Sequence, residues 1–575
     1  MKTNQKVVLA AVGAAAIAPT QAAQRAESKT PTAEQPNVIF ILLDDAGYGD
    51  FGCYGQQRIE TPNIDALAAR GVRFTDMYAG APVSAPSRCT LLTGMHLGHA
   101  QIRANDEMPE RGDVWSILAM RDNPALEGQV PMARGTYTIG EMMREAGYRT
   151  AMIGKWGLGG VDSGSTPLDM GFDYFYGYLC QRMAQCYYPP FLYNGAVREY
   201  TNNPPMDLGD KLDEGADPYD RASYAKFKGD TYSPDAIYDK IEKWVDENHK
   251  NPFFLMWTTT IPHSALTAPD EWVDRYVKKF GAEEPVYTGK GYFPTRYPKA
   301  TYAAMISYLD YQIGELVKQL KAKGLYDNTI IMVTSDNGPT HNSYTSTSWF
   351  DCAAPFRSDR GYTKRSLHEG GIRVPFIVSW GDRLRPAVCD YIGYFPDVMP
   401  TLAAIAGIPQ SEWPNCDGES FLPSIMGRYE EQANHSYLYW EFPKYKGGNG
   451  WLCVRMGKWK GLVEDVADGC TKMQLYNIEE DKREEHDVAD AHPDIVADMW
   501  QAIHASHTPA EHPLFKLDIR YPDSFRGGCE QVVRKSSNNK GVSKKIVRHA
   551  LFFLGSLRSL GRLRSLGRLR SSKVK

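Results

Sequence analysis

The sequence predicts an α/β protein in which helices cover both faces of a large sheet, with a smaller antiparallel-sheet domain at the C-terminal end. Two observations lead to this prediction. Continuous apolar runs such as residues 38–43 and 329–334 are typical of strands buried on both faces, and helical apolar stripes lie between such runs. Further along, residues 451–455 and 458–463 flank Met456-Gly457 as in a β-hairpin.

The elements follow from local signals taken in chain order. Thr61-Pro62 and the pair Thr138 and Glu141 have the pattern of helix N-termini, the second as a capping box, and glycines end several helices. The predicted elements are strand 38–43, helix 61–71, strand 72–75, helix 138–147, strand 149–153, helix 237–245, strand 253–257, helix 305–324, strand 329–334, the hairpin and helix 494–506.

Composition limits the function classes. The chain has 575 residues, of which 42% are apolar and 23% charged, which is the balance of a folded globular protein. No run of about 18 apolar residues occurs, so we predict no transmembrane segment. Without the C-terminal tail the net charge is about −17, and we expect no nucleic-acid partner.

The N-terminal residues have the pattern of a signal peptide. Lys2 and Lys6 precede an apolar run at 7–18, and the small residues Ala22 and Ala23 follow. We predict a signal peptide over 1–23 and a linker over 24–36, with a buried N-terminal helix as the alternative. The protein is then secreted, to the periplasm in a bacterium. No cysteine lies near the end of the predicted signal peptide, so a lipid anchor is not expected.

The other end of the chain is strongly basic. Residues 531–575 contain 13 Lys and Arg but no acidic residue, and SLGRLRS occurs twice from Ser559. A basic arm that contacts an anionic polymer or membrane is one interpretation. We favour an extension without function, because the globular pattern ends before it. The predicted domains are 37–428 and 429–520, followed by the tail at 521–575.

The cysteines do not form a metal-binding pattern. None stands in a CxxC pair, and nothing resembles a zinc set. Export permits disulfides, for example between Cys180 and Cys186, although the sequence leaves the pairing open. The ten cysteines are residues 53, 89, 180, 186, 352, 389, 416, 453, 470 and 529.

Polar residues follow the carboxyl ends of four predicted strands, which is the edge where open α/β sheets bind ligands. A helix cap or solvated turn would explain one acidic pair, but two pairs at one edge indicate a metal site. Three carboxylates and an amide oxygen suit calcium or magnesium rather than zinc. The residues are Asp44, Asp45, Lys155, His263, Asp336 and Asn337.

Residues 83–94 are the most specific segment. Ser84 stands just before a predicted helix at 87–93 that Gly94 ends. Backbone N–H groups and the positive helix end would stabilise an oxyanion there. Arg88, one turn on, can bind two oxygens of the same anion.

This segment resembles a family signature. SAPSR with LLTG is similar to the motif of the formylglycine-dependent sulfatases. It resembles the arylsulfatase-like form of that motif in which the first residue is serine. LLDDAGYGDFGCYG, TPNIDALAARGVRF, AGYRTAMIGKWGLG, VTSDNGP and HEGGIRVP also resemble sulfatase segments, in family order over about residues 37–515. The resemblance implies an alkaline-phosphatase-like fold with a large mixed sheet and a catalytic domain at 37–428.

The resemblance also implies residue roles. Ser84 would be oxidised to formylglycine (3-oxoalanine), and its hydrate would attack the sulfur of a sulfate ester. Arg88 would stabilise the hydrate, Lys155 and Lys364 would contact the sulfate, and His263 would protonate the leaving oxygen. The implied calcium ligands, with magnesium as second choice, are Asp44, Asp45, Asp336, Asn337 and the modified Ser84.

One position departs from the family pattern. GKWGLG has Gly157 where sulfatases commonly have a histidine, and His96 or His99 is a candidate replacement. A serine precursor implies a radical S-adenosylmethionine maturase as transient partner, and the family suggests a sulfated carbohydrate substrate. The alternatives are a phosphomonoester or phosphodiester hydrolase of the same superfamily, and an unmodified, non-catalytic glycan-binding protein.

Overall fold

A computed structural model describes residues 35–525, apart from 109–110, 112–113, 288–291 and 342–343. The predicted signal peptide at 1–23, most of the linker and the chain beyond residue 525 lie outside the described residues. Within them, no helix is both long enough and apolar enough to cross a membrane.

The strands confirm the predicted α/β class and form three sheets. The order of the large sheet is β11-β2-β10-β9-β1-β8-β4-β5-β6-β7. The strands are β1 Asn37–Leu43, β2 Val72–Phe74, β3 Met77–Tyr78, β4 Arg149–Lys155, β5 Tyr174–Tyr178, β6 Phe191–Asn194, β7 Val197–Tyr200, β8 Phe253–Thr258, β9 Thr329–Ser335, β10 Phe376–Trp380, β11 Ala387–Cys389, β12 Gly393–Tyr394, β13 Leu438–Tyr445, β14 Gly448–Met456, β15 Trp459–Val463 and β16 Gln474–Asn477.

The large sheet is mixed, as the family resemblance implied. Strands β9, β1, β8, β4 and β5 are parallel neighbours, whereas β10 runs antiparallel to β9, and β6 and β7 continue antiparallel at the far edge. The central parallel strands are buried along almost their whole length, which explains their continuous apolar sequence.

The helices form two packed groups against the sheet. Helix α7 contacts α1, α5 and α6, while α10 contacts α2 and α4, and both α4 and α5 reach β4. The helices are α1 Pro62–Arg70, α2 Ser84–Thr93, α3 Ile117–Asp122, α4 Ile139–Glu145, α5 Ser233–Asn248, α6 Asp270–Phe280, α7 Pro298–Ala322, α8 Thr347–Phe350, α9 Glu369–Ile372, α10 Val398–Ile405, α11 Leu422–Ile425 and α12 Pro493–Ser506.

The start of α2 differs from the prediction. The helix begins at Ser84 rather than at residue 87, after Val83 in an extended conformation. Pro86 falls in the first turn, where a backbone N–H has no partner within the helix, so the proline does not delay the helix. The nucleophile candidate is therefore the first helical residue.

Two predicted caps also differ. The Thr138 hydroxyl accepts from the Gly140 N–H at 3.2 Å, but Glu141 pairs with Arg144 instead of completing a capping box. Thr61 accepts from the distant Gly52 N–H at 2.8 Å, and its side chain does not cap α1. Thr138 thus keeps a local cap without the capping box, whereas the Thr61 hydroxyl accepts from a residue outside α1.

The C-terminal part contains the predicted antiparallel sheet. Strands β13 to β16 pair in sequence order, with the β14–β15 turn between Met456 and Trp459, and α12 packs on β13 and β14. Tyr521 stacks with Phe525, so the packed chain reaches residue 525. The boundaries near residues 428 and 520 remain predictions.

A buried ionic cluster joins this sheet to helix α9, which precedes β10 of the large sheet. The Lys460 ammonium group on β15 lies 2.8 Å from Glu369 at the start of α9 and 3.0 Å from Glu484. All three side chains are buried. Removing one partner of such a cluster would leave a buried charge unpaired and would lower the free energy of unfolding by about 3–5 kcal/mol. The second sheet thus supports the segment that carries Lys364.

Eight cysteines in the described part of the chain are free thiols, namely Cys53, Cys89, Cys180, Cys186, Cys352, Cys389, Cys453 and Cys470. Cys180 and Cys186, a pair that the sequence left open, are separate buried thiols, and burial raises the pKa of both. Cys529 lies outside the described residues.

Candidate functional site

The pairs Asp44-Asp45 and Asp336-Asn337 emerge side by side at one edge of the sheet. Strands β1 and β9 are in register up to Leu43 and Ser335, so the residues that follow are neighbours. The Asp336 N–H donates to the Leu43 carbonyl at 3.0 Å, and the Asp45 N–H donates to an Asp336 carboxylate oxygen at 3.2 Å. The parallel register therefore gathers three carboxylates, as the sequence predicted.

Ser84 lies in this cluster. Its hydroxyl is 3.2 Å from Oδ1 of Asp44, and the Lys155 ammonium group lies 2.7 Å from Oδ2 of Asp44 and 3.4 Å from the Ser84 oxygen. Ser84 is fully buried, and Lys155 is the last residue of β4. A hydroxyl, an ammonium group and a carboxylate therefore lie in contact at the N-terminus of α2.

Arg88 binds the neighbouring carboxylate. Its Nε and Nη2 donate to Oδ2 of Asp336 at 3.0 and 2.9 Å, and its Nη1 donates to the Lys155 carbonyl at 2.7 Å. The guanidinium group thus connects α2 with the ends of β4 and β9. This pairing orients it beside Ser84, although its predicted action on an oxyanion stays a prediction.

Asp45 is contacted from several loops. The Lys364 ammonium group lies 2.6 Å from its Oδ1, and the Asn337 amide donates to the same oxygen at 2.8 Å. The Thr340 hydroxyl donates to Oδ2, and His263 Nε2 is 3.6 Å from it. Thr340 carries no sequence signal, because its position depends on the loop after β9.

His263 is held by an element that the sequence analysis missed. The Tyr187 hydroxyl donates to the carbonyls of Thr260 at 2.6 Å and His263 at 2.8 Å, and His263 Nδ1 contacts the Ser264 carbonyl. These bonds fix the turn after β8 and leave Nε2 facing Asp45. Burial lowers the pKa of His263, and the negative charges of Asp45 and Asp44 offset part of this effect.

Burial and the neighbouring charges shift the pKa values of the cluster in different directions. Burial alone would raise the pKa of Asp44, but Lys155 and the other nearby cations hold it well below its ordinary value, and Lys364 acts similarly on Asp45. Burial and the Asp44 charge raise the pKa of Asp336, despite its pairing with Arg88. Burial also lowers the pKa of Lys155. The site is a dense set of carboxylates that further positive charge would stabilise.

The donors fit a hard divalent cation. Oδ1 of Asn337 is buried and has no hydrogen-bond partner among the described residues, which is the state of a ligand oxygen awaiting a cation. The groups around it are carboxylate oxygens and the Ser84 hydroxyl, and no described thiol contributes. Asp44, Asp45 and His263 also offer atoms within 4.8 Å of one another. An oxygen-rich set of this kind suits calcium or magnesium.

Gly157 is required by its surroundings. Its φ is +81°, and a Cβ there would lie 2.7 Å from Cγ of Gln181. A histidine at this position would need both a strained backbone and a displaced Gln181. The candidate replacements His96 and His99 contact each other and Asp417, away from the Ser84 cluster, so these contacts give a substitute role no support.

The sequence of the chain is similar to those of known proteins. A family model described as Sulfatase matches residues 36–408, and one described as N-sulphoglucosamine sulphohydrolase, C-terminal, matches 359–508. The chain is 27% identical to an N-acetylgalactosamine-6-O-sulfatase of Bacteroides thetaiotaomicron, covering 83% of this chain and 94% of the relative. Human arylsulfatase A is 28% identical, covering 74% and 75% respectively.

A solved structure agrees in fold. The crystal structure of Ps i-CgsB in complex with k-i-k-neocarrahexaose superimposes with a TM-score of 0.61 at 26% identity, covering 88% of this chain and 98% of the other.

Proposed function

The chain belongs to the sulfatase family of the alkaline-phosphatase-like superfamily and is a sulfuric ester hydrolase, and from this premise we propose that it hydrolyses a sulfate ester of a carbohydrate. The proposed nucleophile is formylglycine derived from Ser84, acting with a bound calcium ion. The observation that carries this proposal is the position of Ser84, fully buried at the start of α2 within reach of Asp44 and Lys155.

Oxidation of Ser84 supplies an aldehyde whose hydrate can attack sulfur and later release sulfate by C–O cleavage. A plain serine would be left as a stable sulfate ester. The surrounding groups suit this role, because the N-terminus of α2 favours negative charge on the attacking oxygen. In the proposed sequence of events, a transient radical S-adenosylmethionine maturase oxidises Ser84.

The cation site consists of Asp44, Asp45, Asp336, Asn337 and the oxygen of residue 84. When bound, a calcium ion supplies positive charge beside the nucleophile. We prefer calcium to magnesium because five protein oxygens approach the six to eight that calcium takes, whereas magnesium usually keeps several waters. Lys155 and Lys364 now neutralise Asp44 and Asp45, and a cation would free both ammonium groups for the sulfate.

The remaining roles follow from position. Lys155 contacts Asp44 and Lys364 contacts Asp45, and both would bind the sulfate oxygens, while Arg88 holds the start of α2 against Asp336. His263 presents Nε2 at the edge of the cluster, where it can donate a proton to the departing sugar oxygen. Each group would act on a different atom of the ester.

The carbohydrate substrate is inferred from relatives. One acts on N-acetylgalactosamine 6-O-sulfate by its name, and one solved structure holds a neocarrahexaose. The predicted signal peptide agrees with a secreted, periplasmic enzyme that meets such glycans outside the cytoplasm.

A test of the proposed function compares paired esters. We expect kcat/KM on 4-nitrophenyl sulfate to exceed that on 4-nitrophenyl phosphate by about 10²-fold or more, or about 2.7 kcal/mol of transition-state stabilisation. Intact mass of the Ser84 peptide from the native host should be lower by two hydrogen atoms. Faster phosphate turnover would favour the phosphoester alternative, and a wholly unmodified, inactive protein would favour a glycan-binding role.

Removal of the cation should impair both activity and stability. We expect chelation to lower kcat/KM by about 10²-fold or more, because without a bound cation the buried carboxylates would lack the positive charge that it would supply beside residue 84. Calcium at about 100 times its Kd should also raise the free energy of unfolding by about 2.7 kcal/mol, which thermal melting measures.

A matched pair of variants controls this measurement. Asn337→Ala should reduce the calcium-dependent rise in Tm, whereas Asn202→Ala, at an exposed position, should leave it unchanged. Full activity in excess chelator, or an equal rise in Tm for both variants, would contradict the proposed cation site.

A further inference from the structure

Two side chains of opposite charge near Ser84 have no partner within the described part of the chain. No donor or cation contacts the Asp106 carboxylate, and its Oδ2 is buried. The Arg365 guanidinium group is exposed and makes no ion pair or side-chain hydrogen bond. An exposed arginine alone is ordinary, but a carboxylate with a buried, unpartnered oxygen needs an explanation.

Both residues are anchored to the segment that contains Ser84. Asn105, next to Asp106, accepts from the Ala85 N–H through its side-chain oxygen at 2.6 Å. Arg365 donates its own backbone N–H to the Pro82 carbonyl at 2.9 Å. One anchor therefore lies directly after Ser84 and the other two residues before it, so the loops that carry Asp106 and Arg365 both contact the segment around Ser84.

The two charges also converge on the hairpin of the second sheet. Burial raises the pKa of Tyr445, at the end of β13, while the Arg365 charge lowers it and the Asp106 charge raises it. The charges of both groups therefore act on the same hydroxyl, in opposite directions. Arg365 similarly acts on Tyr292, whose ring lies 6.1 Å from that of His263.

The chemistry of each group specifies its ligand. Burial raises the pKa of Asp106 to about 6, which the charge of Lys446 only partly offsets, and a hydroxyl or amide N–H donor would stabilise its charged form. Arg365 follows Lys364, the proposed sulfate contact, and its planar guanidinium group can bind a second carboxylate or sulfate through two parallel hydrogen bonds.

We propose that Asp106 and Arg365 form the two poles of a sugar subsite beside Ser84. The substrate is then a sulfated sugar that carries a second anionic group and, near the ester, a hydroxyl or amide N–H. Arg365 binds the anionic group, and the Asp106 carboxylate accepts a hydrogen bond from the hydroxyl or N–H. This inference rests on the proposed function, since it places the sugar of that substrate.

Binding tests the subsite independently of turnover. The probes are the 4-sulfated and 6-sulfated chondroitin disaccharides and the 6-sulfated heparan disaccharide, each as the free acid and as the methyl ester of its uronate. Calorimetry on the full-length Ser84→Ala protein with calcium present avoids hydrolysis. We expect at least one free acid to bind about tenfold more tightly than its ester, as one charge-assisted bidentate contact allows.

The variants assign the effect to residues. Arg365→Ala should bring each free acid and its ester to within about twofold, whereas Arg385→Ala, an exposed arginine between β10 and β11, should preserve the preference. Asp106→Ala should weaken acid and ester by a similar factor of about ten, and Asp106→Asn, which keeps an acceptor oxygen, by less.

Several results would overturn the subsite. One is that the parent protein binds none of the probes, or binds every free acid and its ester equally. Another is that the preference for the free acid survives in Arg365→Ala, or that Asp106→Ala binds the probes as tightly as the parent protein. Failure of the proposed function looks different, because the chain with Ser84 intact would then not turn over 4-nitrophenyl sulfate while the binding pattern remained.

Discussion

Ser84→Ala is expected to reduce kcat/KM by at least about 10³-fold on every sulfate ester, an increase of about 4 kcal/mol in the activation barrier. Alanine removes the oxygen that becomes the nucleophile, and no other described hydroxyl lies this close to Asp44 and Lys155. Steady-state kinetics on 4-nitrophenyl sulfate measures the loss.

A fold control and a chemical control accompany this variant. The structure loses the 3.2 Å bond from Ser84 to Asp44 and the 3.4 Å contact with Lys155, whose ammonium group keeps its bond to Asp44, so the Tm should fall little. Ser84→Cys should be active when produced in a host whose oxygen-dependent converting enzyme oxidises cysteine. Substantial turnover by Ser84→Ala would contradict a nucleophile at this position, whatever the state of the peptide in the native host.

The sequence predicted those parts of the site that depend on strand register. Asp44-Asp45 and Asp336-Asn337 follow parallel strands that are neighbours in the sheet, and their meeting required only that the apolar runs be strands of one sheet. Lys155 belongs to the same edge, as the last residue of β4.

Groups carried by loops could not be predicted in this way. Thr340 and Tyr187 reach the cluster because of how their loops fold on the sheet, which no local pattern encodes. The ionic cluster around Lys460 connects residues far apart in the sequence, and each alone has the sequence appearance of a surface charge. The capping signal at Thr61 was likewise redirected, because its hydroxyl accepts from the Gly52 N–H instead of capping α1.

The site also shows how a cationic binding surface can coexist with buried carboxylates. Lys155, Lys364 and Arg88 each pair with one of the three aspartates. A divalent ion would compete with the lysines for Asp44 and Asp45 and leave them available to an anion. Cation and sulfate binding are then linked, and each should strengthen the other by the same factor.

His263→Ala is expected to lower kcat/KM by different factors on two kinds of substrate. A general acid contributes roughly 10²–10⁴-fold, and its contribution is greatest when the leaving group is a poor one. A sugar alkoxide needs a proton to depart, whereas nitrophenolate scarcely does. We therefore expect about 10²-fold or more to be lost on a sulfated sugar and much less on 4-nitrophenyl sulfate, as kcat/KM on both substrates would show.

Two comparisons make the His263 result specific. Lys155→Ala removes a proposed sulfate contact next to Ser84 and should lower both rates by similar factors, because both substrates carry the sulfate. His486→Ala, a histidine whose side chain is 79% exposed, should change neither. The position of His263, with Nε2 at 3.6 Å from Asp45 and its turn fixed by Tyr187, also allows a purely structural role. Equal losses on the two substrates after His263→Ala would indicate that role, and the proton would then have to come from another group, with Lys364 the next candidate.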